Sequence, residues 1–240
     1  MKKMQEEVSK FRILKIIGLT QEEIKKALGG HIGESDSVKL NLVNNLDGSI
    51  DLEIKITAKV ERMAQALLSA AEKEIRIKLQ DNIYGVDGER LEEVVGYLLY
   101  LRKLSIAVAE SCTGGLLSNK LTDVPGSSLY YRGGIVAYEK EIKINLLNIP
   151  REIIEKCGIV SREIATMMAK EIARLMKTDI GLGITGYAGP EGNEVGLAYI
   201  GLSINDNLNV KEFRFVGERE EIKEKAACAA LDMVRRELLK

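Results

Sequence analysis

The apolar run SIAVA at residues 105–109 leads directly into ESCTGG at residues 110–115, and this junction decides the fold. Such a run is typical of a buried strand, and good helix formers follow the two glycines. Glycine lets a backbone approach a ligand closely, and a helix that begins there points free N–H groups at an anion. The junction therefore predicts a phosphate or oxyanion site that includes Ser111, Thr113, Gly114 and Gly115.

Two further segments combine hydroxyl groups with glycines at predicted strand ends. The first is GSS at residues 126–128, before the strand GGIVAY, and the second is TGYAGPEG at residues 185–192, after the strand DIGLGITG. In α/β sheets, ligands bind where strands end and helices begin. The pattern predicts a donor-rich pocket for a phosphorylated ligand, with contributions from Ser128, Thr185, Gly186 and Gly189.

Each of these signals also has a purely structural explanation. Ser111 and Ser128 are good helix caps, and TGYAGP is equally a turn fixed by Pro190. The joint occurrence of several such motifs at neighbouring strand ends favours the binding site over the structural alternative.

The only histidine is His31, far in sequence from every glycine-rich motif. A Ser-His-Asp or Cys-His triad would need His31 to fold over onto the site, and a histidine-rich metal site is excluded. A serine nucleophile here would need lysine or tyrosine as proton acceptor. The segment YEKEIK at residues 138–143 offers Tyr138, Lys140 and Lys143.

If Tyr138 ends a strand, Lys143 falls in the first turns of the next helix, and both are predicted to face one site with Ser128 nearby. The alternative for the lysines is a solvated surface charge. The residues alone leave open whether Ser111 or Ser128 is the nucleophile.

Three more residues near the motifs are candidates for binding or catalysis. Arg219, at the start of the last helix, is predicted to clamp a phosphate, with a salt bridge to neighbouring glutamates as the alternative. Cys112 is interpreted as a packing residue, because no histidine is available as its base. Glu110 has two interpretations, as a group that orients a ligand hydroxyl or as an acceptor of backbone N–H groups.

The composition narrows the class of protein. The 240 residues include 35 basic and 36 acidic side chains, for a net charge of -1, so the whole chain does not attract nucleic acid or anionic lipid. The three cysteines lack metal-ligand spacing, and neither a signal peptide nor an apolar run of membrane-spanning length is present. We predict a cytoplasmic protein without metal or cofactor, without a membrane or nucleic-acid partner.

The chain is predicted to contain two domains. Residues 1–84 read as a small α+β domain with the order β-α-β-β-α, including a hairpin at Asp47-Gly48. The motif NIYGVDGE is taken as a linker, with the boundary near Gly85. Residues 85–240 alternate apolar strands and helices, which predicts an α/β fold: a three-layer α/β/α sandwich with a mostly parallel central sheet.

These motifs resemble a known family. ESCTGG, the GSS turn, GG-x-V-x-Y and TG-x-AGP are together similar to the C-terminal nicotinamide-nucleotide amidohydrolase (PncC) domain of the CinA family, over residues 85–240. The preceding residues resemble the KH-like domain of that family. The resemblance implies cofactor-free, metal-independent hydrolysis of nicotinamide mononucleotide to nicotinate mononucleotide and ammonia.

The resemblance also implies roles for individual residues. Ser128 of the GSS turn is the implied nucleophile, and Tyr138 and Lys143 are implied to assist proton transfer. Ser111 to Gly115 and Thr185 to Gly189 would line the nucleotide pocket together with Arg219. Backbone N–H groups of the glycine loops would then stabilise the oxyanion.

The chain departs from the family pattern in two places. The family commonly has a longer loop after AGP with a lysine and P-V-G-T, whereas this chain has AGPEGNEVGLAY with Leu197 in place of threonine. It also has Y-E-K at residues 138–140 where Y-S-N is usual.

Two alternatives to the enzyme follow. One is an inactive nucleotide-binding sensor or scaffold of the same fold. The other is RNA binding by the KH-like domain, which the absence of an evident G-x-x-G clamp disfavours. A homodimer is predicted, because the helices leave apolar faces exposed.

Overall fold

The computed structural model describes residues 7–29, 37–192, 194–205 and 207–240. It divides the chain into two compact units, Met1–Arg90 and Leu91–Lys240. Each unit has its own sheet and is described by itself. His31, on which an imidazole-based triad would depend, lies outside the described residues.

The first unit follows the predicted order β-α-β-β-α and adds one strand. Its strands form an antiparallel sheet in the order β2-β3-β1-β4, and the predicted hairpin is the β2–β3 pair. Its resemblance to a KH-like domain stays a prediction. The elements are β1 (Val8–Ile16), α1 (Gln21–Leu28), β2 (Val38–Asn44), β3 (Ile50–Ala58), α2 (Glu61–Leu79) and β4 (Ile83–Val86).

The strand β4 is the element that the sequence interpretation missed. Its four residues lie in NIYGVDGE, which was expected to be a linker, but Lys15 pairs with Gly85 and Leu14 with Val86. A strand this short has too few residues to show a clear alternation, so only its pairing with β1 identifies it. The unit consequently ends at Arg90, a few residues after the predicted boundary near Gly85.

The second unit begins with a helix and alternates strands and helices. Ser161 caps the helix that follows it, because its side chain accepts from the Ile164 N–H. The elements are α3 (Leu91–Arg102), β5 (Ile106–Glu110), α4 (Leu116–Thr122), β6 (Tyr131–Val136), α5 (Lys140–Asn145), α6 (Arg151–Cys157), α7 (Arg162–Met176), β7 (Ile180–Gly186), β8 (Leu197–Ile204), β9 (Asn207–Arg214) and α8 (Arg219–Leu238).

The sheet of this unit has the strand order β6-β5-β7-β8-β9. Strands β6, β5 and β7 are parallel, whereas β8 and β9 continue the sheet in antiparallel fashion. Helix α7 packs on β5, β7 and β8, while α3, α4 and α8 pack on one another and α8 also contacts β7 and β8. The predicted α/β sandwich is confirmed. Because β5, β6 and β7 are parallel neighbours, their carboxyl ends lie at the same edge of the sheet.

Glycines in β7 and β8 let α7 approach the sheet closely. A Cβ on Gly181 would overlap the carbonyl oxygen of Ala169, and one on Gly201 would overlap that of Ala165. Since both obstructions are backbone atoms of α7, neither can move aside alone. These glycines are therefore required by the packing distance between helix and sheet.

We expect Gly181→Ala to destabilise the second unit by about 3 kcal/mol, because the added methyl group forces α7 away from the sheet. Chemical denaturation followed by circular dichroism measures the change. The matched control is Gly88→Ala, where an added Cβ meets nothing within 4 Å. Equal stability of Gly181→Ala and the parent protein would contradict the close packing.

Candidate active site

Lys143 of α5 is fully buried, which is rare for a lysine. Its Nζ donates to Ser111 Oγ at 3.1 Å, to the Tyr138 carbonyl at 3.3 Å and to the Ala137 carbonyl. The two carbonyls belong to the turn between β6 and α5, and Ser111 is the first residue after β5. The amine is thus held between the ends of two neighbouring parallel strands.

Burial lowers the pKa of the Lys143 amine to about 8, although the nearby Cys112 and Glu139 act in the opposite direction. An ordinary lysine has a pKa of about 10.4 and is almost fully protonated at neutral pH. With its lowered pKa, Lys143 has a substantial neutral fraction at pH 7 to 8. In that form it can accept a proton from the hydroxyl of Ser111, which makes the pair a candidate nucleophile and base.

The expectation that Ser128 lies beside Tyr138 and Lys143 is wrong. Ser128 is exposed in a short 3₁₀ turn that precedes β6, whereas Tyr138 and Lys143 follow this strand. The six residues of β6 separate the two ends by about 20 Å. Of the two serines that the sequence left open, the structure brings Ser111 to the lysine.

Tyr138 contacts Lys143 through its backbone and faces the pocket with its ring. Its carbonyl accepts from the amine, while its half-exposed phenol accepts from Arg219 Nη2 at 3.4 Å. Tyr138 and Lys143 are therefore in contact, but the phenol is not a hydrogen-bond partner of the amine, and their joint role in proton transfer stays a prediction.

Glu110 is a fully buried carboxylate at the end of β5. It accepts from the backbone N–H groups of Gly115 and Leu117 at 3.0 Å, and from both the N–H and the hydroxyl of Ser118 at 2.8 and 2.6 Å. Of its two interpretations from sequence, the structure shows the acceptor of backbone N–H groups.

This carboxylate changes the role of the ESCTGG turn. The turn was expected to present the first N–H groups of α4 to a phosphate or oxyanion, but Glu110 already accepts from them. Gly114 and Gly115 are required for the turn itself, because their φ angles of 63° and 97° are left-handed. Thr113 is fully buried, and within the described ranges its hydroxyl has no hydrogen-bond partner.

A cavity of about 240 Å³ lies in front of Ser111. Six of the predicted site residues line it: Ser111, Tyr138, Thr185, Gly186, Gly189 and Arg219. The lining also includes Cys112, Ile159, Val160, Tyr187, Ala188 and Glu191. Thr113, Gly114, Gly115 and Ser128 are not part of the lining, and Lys143 lies behind Ser111.

The end of β7 and the start of α8 also contribute to the cavity wall. The buried Thr185 hydroxyl donates to the Ile159 carbonyl at 2.9 Å, so Thr185 both lines the cavity and holds the segment before α7. Arg219 donates to the Gly189 carbonyl and the Tyr138 hydroxyl, which places its guanidinium in the cavity wall. The alternative of an ion pair with neighbouring glutamates is not seen for Arg219 among the described residues.

Cys112 is next to Ser111 in the sequence, but its thiol is unreactive at neutral pH. The thiol is buried, and burial raises its pKa to about 11. A thiol of this pKa is almost entirely protonated at neutral pH, and the nucleophilic form is the thiolate. This agrees with the interpretation of Cys112 as a packing residue.

Sequence reasoning missed part of the cavity wall. Tyr187 falls within the stretch Thr185 to Gly189 that the resemblance implied, whereas Glu191 lies in the quoted TGYAGPEG motif but was not singled out. Ile159 and Val160 carry no signal of their own, because they reach the site only through the packing of α7. Helices in the described part of the chain are too short or too polar to cross a membrane, and the acidic and cysteine side chains there form no cluster that would hold a metal.

The C-terminal domain model of CinA matches residues 88–238, which is more than half of the chain. The chain belongs to the CinA family. A CinA-like protein of Dictyoglomus thermophilum is 48% identical over 197 residues, covering 80% of this chain and 48% of that protein. A putative competence-damage inducible protein of Caldicellulosiruptor bescii is 41% identical over 234 residues, covering 95% of this chain and 56% of that protein.

Solved CinA structures share the fold of the second unit. A CinA superfamily protein from Klebsiella pneumoniae 700603 has a TM-score of 0.61 at 29% identity, covering 62% of this chain and 96% of that one. A competence or damage-inducible protein from Enterobacter asburiae has a TM-score of 0.60 at 30% identity, covering 62% and 96%. The chain spans about half the length of the curated CinA relatives described above.

We expect Glu110→Gln to destabilise the second unit by about 2–4 kcal/mol, because the amide replaces one acceptor oxygen by a donor that faces backbone N–H groups. Thermal or chemical unfolding measures the loss. The control Glu141→Gln alters an exposed carboxylate paired with Arg151 and should change stability by less than about 0.5 kcal/mol. Similar small effects of both variants would show that Glu110 does not hold the start of α4.

Proposed function

We propose that this chain hydrolyses the carboxamide of nicotinamide mononucleotide to nicotinate mononucleotide and ammonia, with Ser111 as nucleophile and Lys143 as general base. The observation that carries the proposal is the 3.1 Å contact between Lys143 Nζ and Ser111 Oγ, made by a fully buried amine. The substrate comes from the resemblance to the amidohydrolase domain of the CinA family.

The proposed reaction has two halves. Lys143 takes the proton of Ser111 as Oγ attacks the amide carbon, and it then returns this proton to the leaving nitrogen, which departs as ammonia. Water next attacks the acyl-serine ester. Lys143 accepts a proton from that water and gives it back to Ser111, which releases the carboxylate of nicotinate mononucleotide.

The lining of the cavity supports a ligand that carries both charges. Nicotinamide mononucleotide combines a pyridinium cation with a phosphate anion. Tyr138 and Tyr187 supply partly exposed aromatic rings, and Glu191 a carboxylate, which suit the cationic ring. Arg219 supplies a guanidinium, which suits the phosphate.

A second candidate function is a nucleotide sensor or scaffold without turnover. The observation that favours it is the short segment after AGP, which lacks the lysine usual in the family. A sensor would bind the nucleotide in the same cavity, so the two functions differ only in whether ammonia is released.

Replacement of Ser111 by alanine, or of Lys143 by methionine, should lower ammonia release from nicotinamide mononucleotide at least 10³-fold, because each change removes one member of the nucleophile–base pair. A coupled ammonia assay on purified protein measures the rate. Lys143→Met is the nearest neutral replacement in length.

The matched control is Ser128→Ala, which removes an exposed hydroxyl at the other end of β6 and should leave the rate within about twofold, as for a surface change. Loss of activity in Ser128→Ala with retention in Ser111→Ala would overturn the assignment of the nucleophile. Tight nucleotide binding by the parent protein without ammonia release would favour the sensor.

The pH profile tests the protonation state of Lys143. The amine acts as base only when neutral, so kcat/KM should rise with pH and level off above a pKa of about 8. Ammonia release measured between pH 6 and 10 gives the profile. A rate that falls as pH rises through 8 would mean that the protonated amine is the active form.

The homodimer and the cytoplasmic location stay predictions from the sequence. Light scattering of the purified chain tests the first, and localisation in cells tests the second.

A further inference from the structure

The start of α4 is closed to a phosphate. The N–H groups of Gly115, Leu117 and Ser118 all donate to the Glu110 carboxylate. A phosphate at this helix end would find those donors occupied and would meet a negative charge. A phosphorylated ligand of the cavity therefore needs a positive group from another element.

Lys223 lies one helical turn after Arg219 on α8, so the two side chains share one face of the helix. Its Nζ lies 3.8 Å from the position that a Cβ on Gly114 would occupy. The N–H of Gly114 in turn donates to the Ser111 carbonyl at 3.1 Å. The ammonium thus lies over the turn that begins with the proposed nucleophile.

Lys223 differs from nearby lysines in its contacts. Lys225 donates to the Val216 carbonyl, and Lys120 forms an ion pair with Glu224 at 2.8 Å. The half-buried Lys223 makes neither a hydrogen bond nor an ion pair with the part of the chain that the structure describes. A cation that is partly desolvated and lacks a counter-charge is well suited to bind an anionic ligand.

We infer that Arg219, which lines the cavity, and Lys223, which lies outside this lining one helical turn further along α8, together bind the phosphate of the nucleotide. This inference rests on the proposed function for the identity of the nucleotide. The ammonium and the guanidinium offset the negative charge of the phosphate. Both are needed because the carboxylate of Glu110, at the start of α4, repels the phosphate. Lys223 is then a specificity-determining residue that separates a mononucleotide from its nucleoside.

The test compares Lys223→Ala with the control Lys225→Ala, which removes the same charge from the same helix. With nicotinamide mononucleotide, Lys223→Ala should raise KM about tenfold at unchanged kcat, as for loss of one charge-assisted hydrogen bond. With nicotinamide riboside, which lacks the phosphate, the same variant should equal the parent protein. Lys225→Ala should change neither KM, and Lys223→Arg should restore most of the affinity.

Calorimetric binding of nicotinamide mononucleotide to the Ser111→Ala variant, with and without Lys223→Ala, separates this inference from the proposed function. If the parent protein releases no ammonia but Lys223→Ala still weakens binding about tenfold, the proposed function fails and the phosphate site stands. If Lys223→Ala and Lys225→Ala bind or react alike, or if nucleotide and riboside are affected equally, the phosphate site is overturned. Thermal unfolding of each variant confirms that it is folded.

Discussion

The site depends on the burial of one lysine amine, that of Lys143, which has no access to water. Removing an ammonium from water costs free energy, and the two carbonyls and one hydroxyl around Lys143 only partly offset this cost. The amine consequently gives up its proton more readily than an exposed lysine. Both carbonyls come from the turn after β6, and the hydroxyl comes from the turn after β5, so the parallel pairing of these strands is what assembles the pair. Fold and chemistry are coupled at this one contact.

A second buried charge in the same region is Glu110, and it already accepts from N–H groups that the ESCTGG turn was predicted to offer a phosphate. A helix N-terminus attracts anions, and here the anion is an internal side chain. The carboxylate fixes the first turn of α4 and with it the chain direction at Ser111. Its hydrogen bonds to three N–H groups and one hydroxyl leave that helix end with little to offer a ligand. In the proposed function the motif therefore positions the nucleophile, and we assign the binding of the phosphate to α8.

Most of the fold was predictable from sequence, because apolar runs, glycines and caps act locally. The strand β5, the Ser161 cap of α7 and the β2–β3 hairpin all follow from residues within a few positions of each other. The candidate site was predictable only as a set of residue types: the absence of a nearby histidine pointed to Lys143, and the motifs pointed to Ser111, Arg219 and the TGYAGPEG segment. The choice of serine was also accessible from sequence, because the GSS turn comes before the strand GGIVAY and Tyr138 ends it, which puts Ser128 and Tyr138 at opposite ends of β6. Strand β4 and the wall residues Ile159 and Val160 were missed because only tertiary pairing or packing reveals them.

The segment between β7 and β8 is shorter than is usual in the family, and the arrangement of the site is consistent with this shortness. Its base is closed by two backbone hydrogen bonds, from Tyr187 N–H to the Leu197 carbonyl at 2.9 Å and from Gly196 N–H to the Tyr187 carbonyl at 2.8 Å. Arg219 holds it from the side through the Gly189 carbonyl. Residues 187–196 contain no lysine, so positive charge at this edge of the cavity comes from α8 instead. A cation on a helix loses less conformational entropy on binding a ligand than one on a long loop, because its backbone is already ordered. The departure from the family pattern is therefore compatible with a complete site, provided that α8 supplies the charge that the loop lacks.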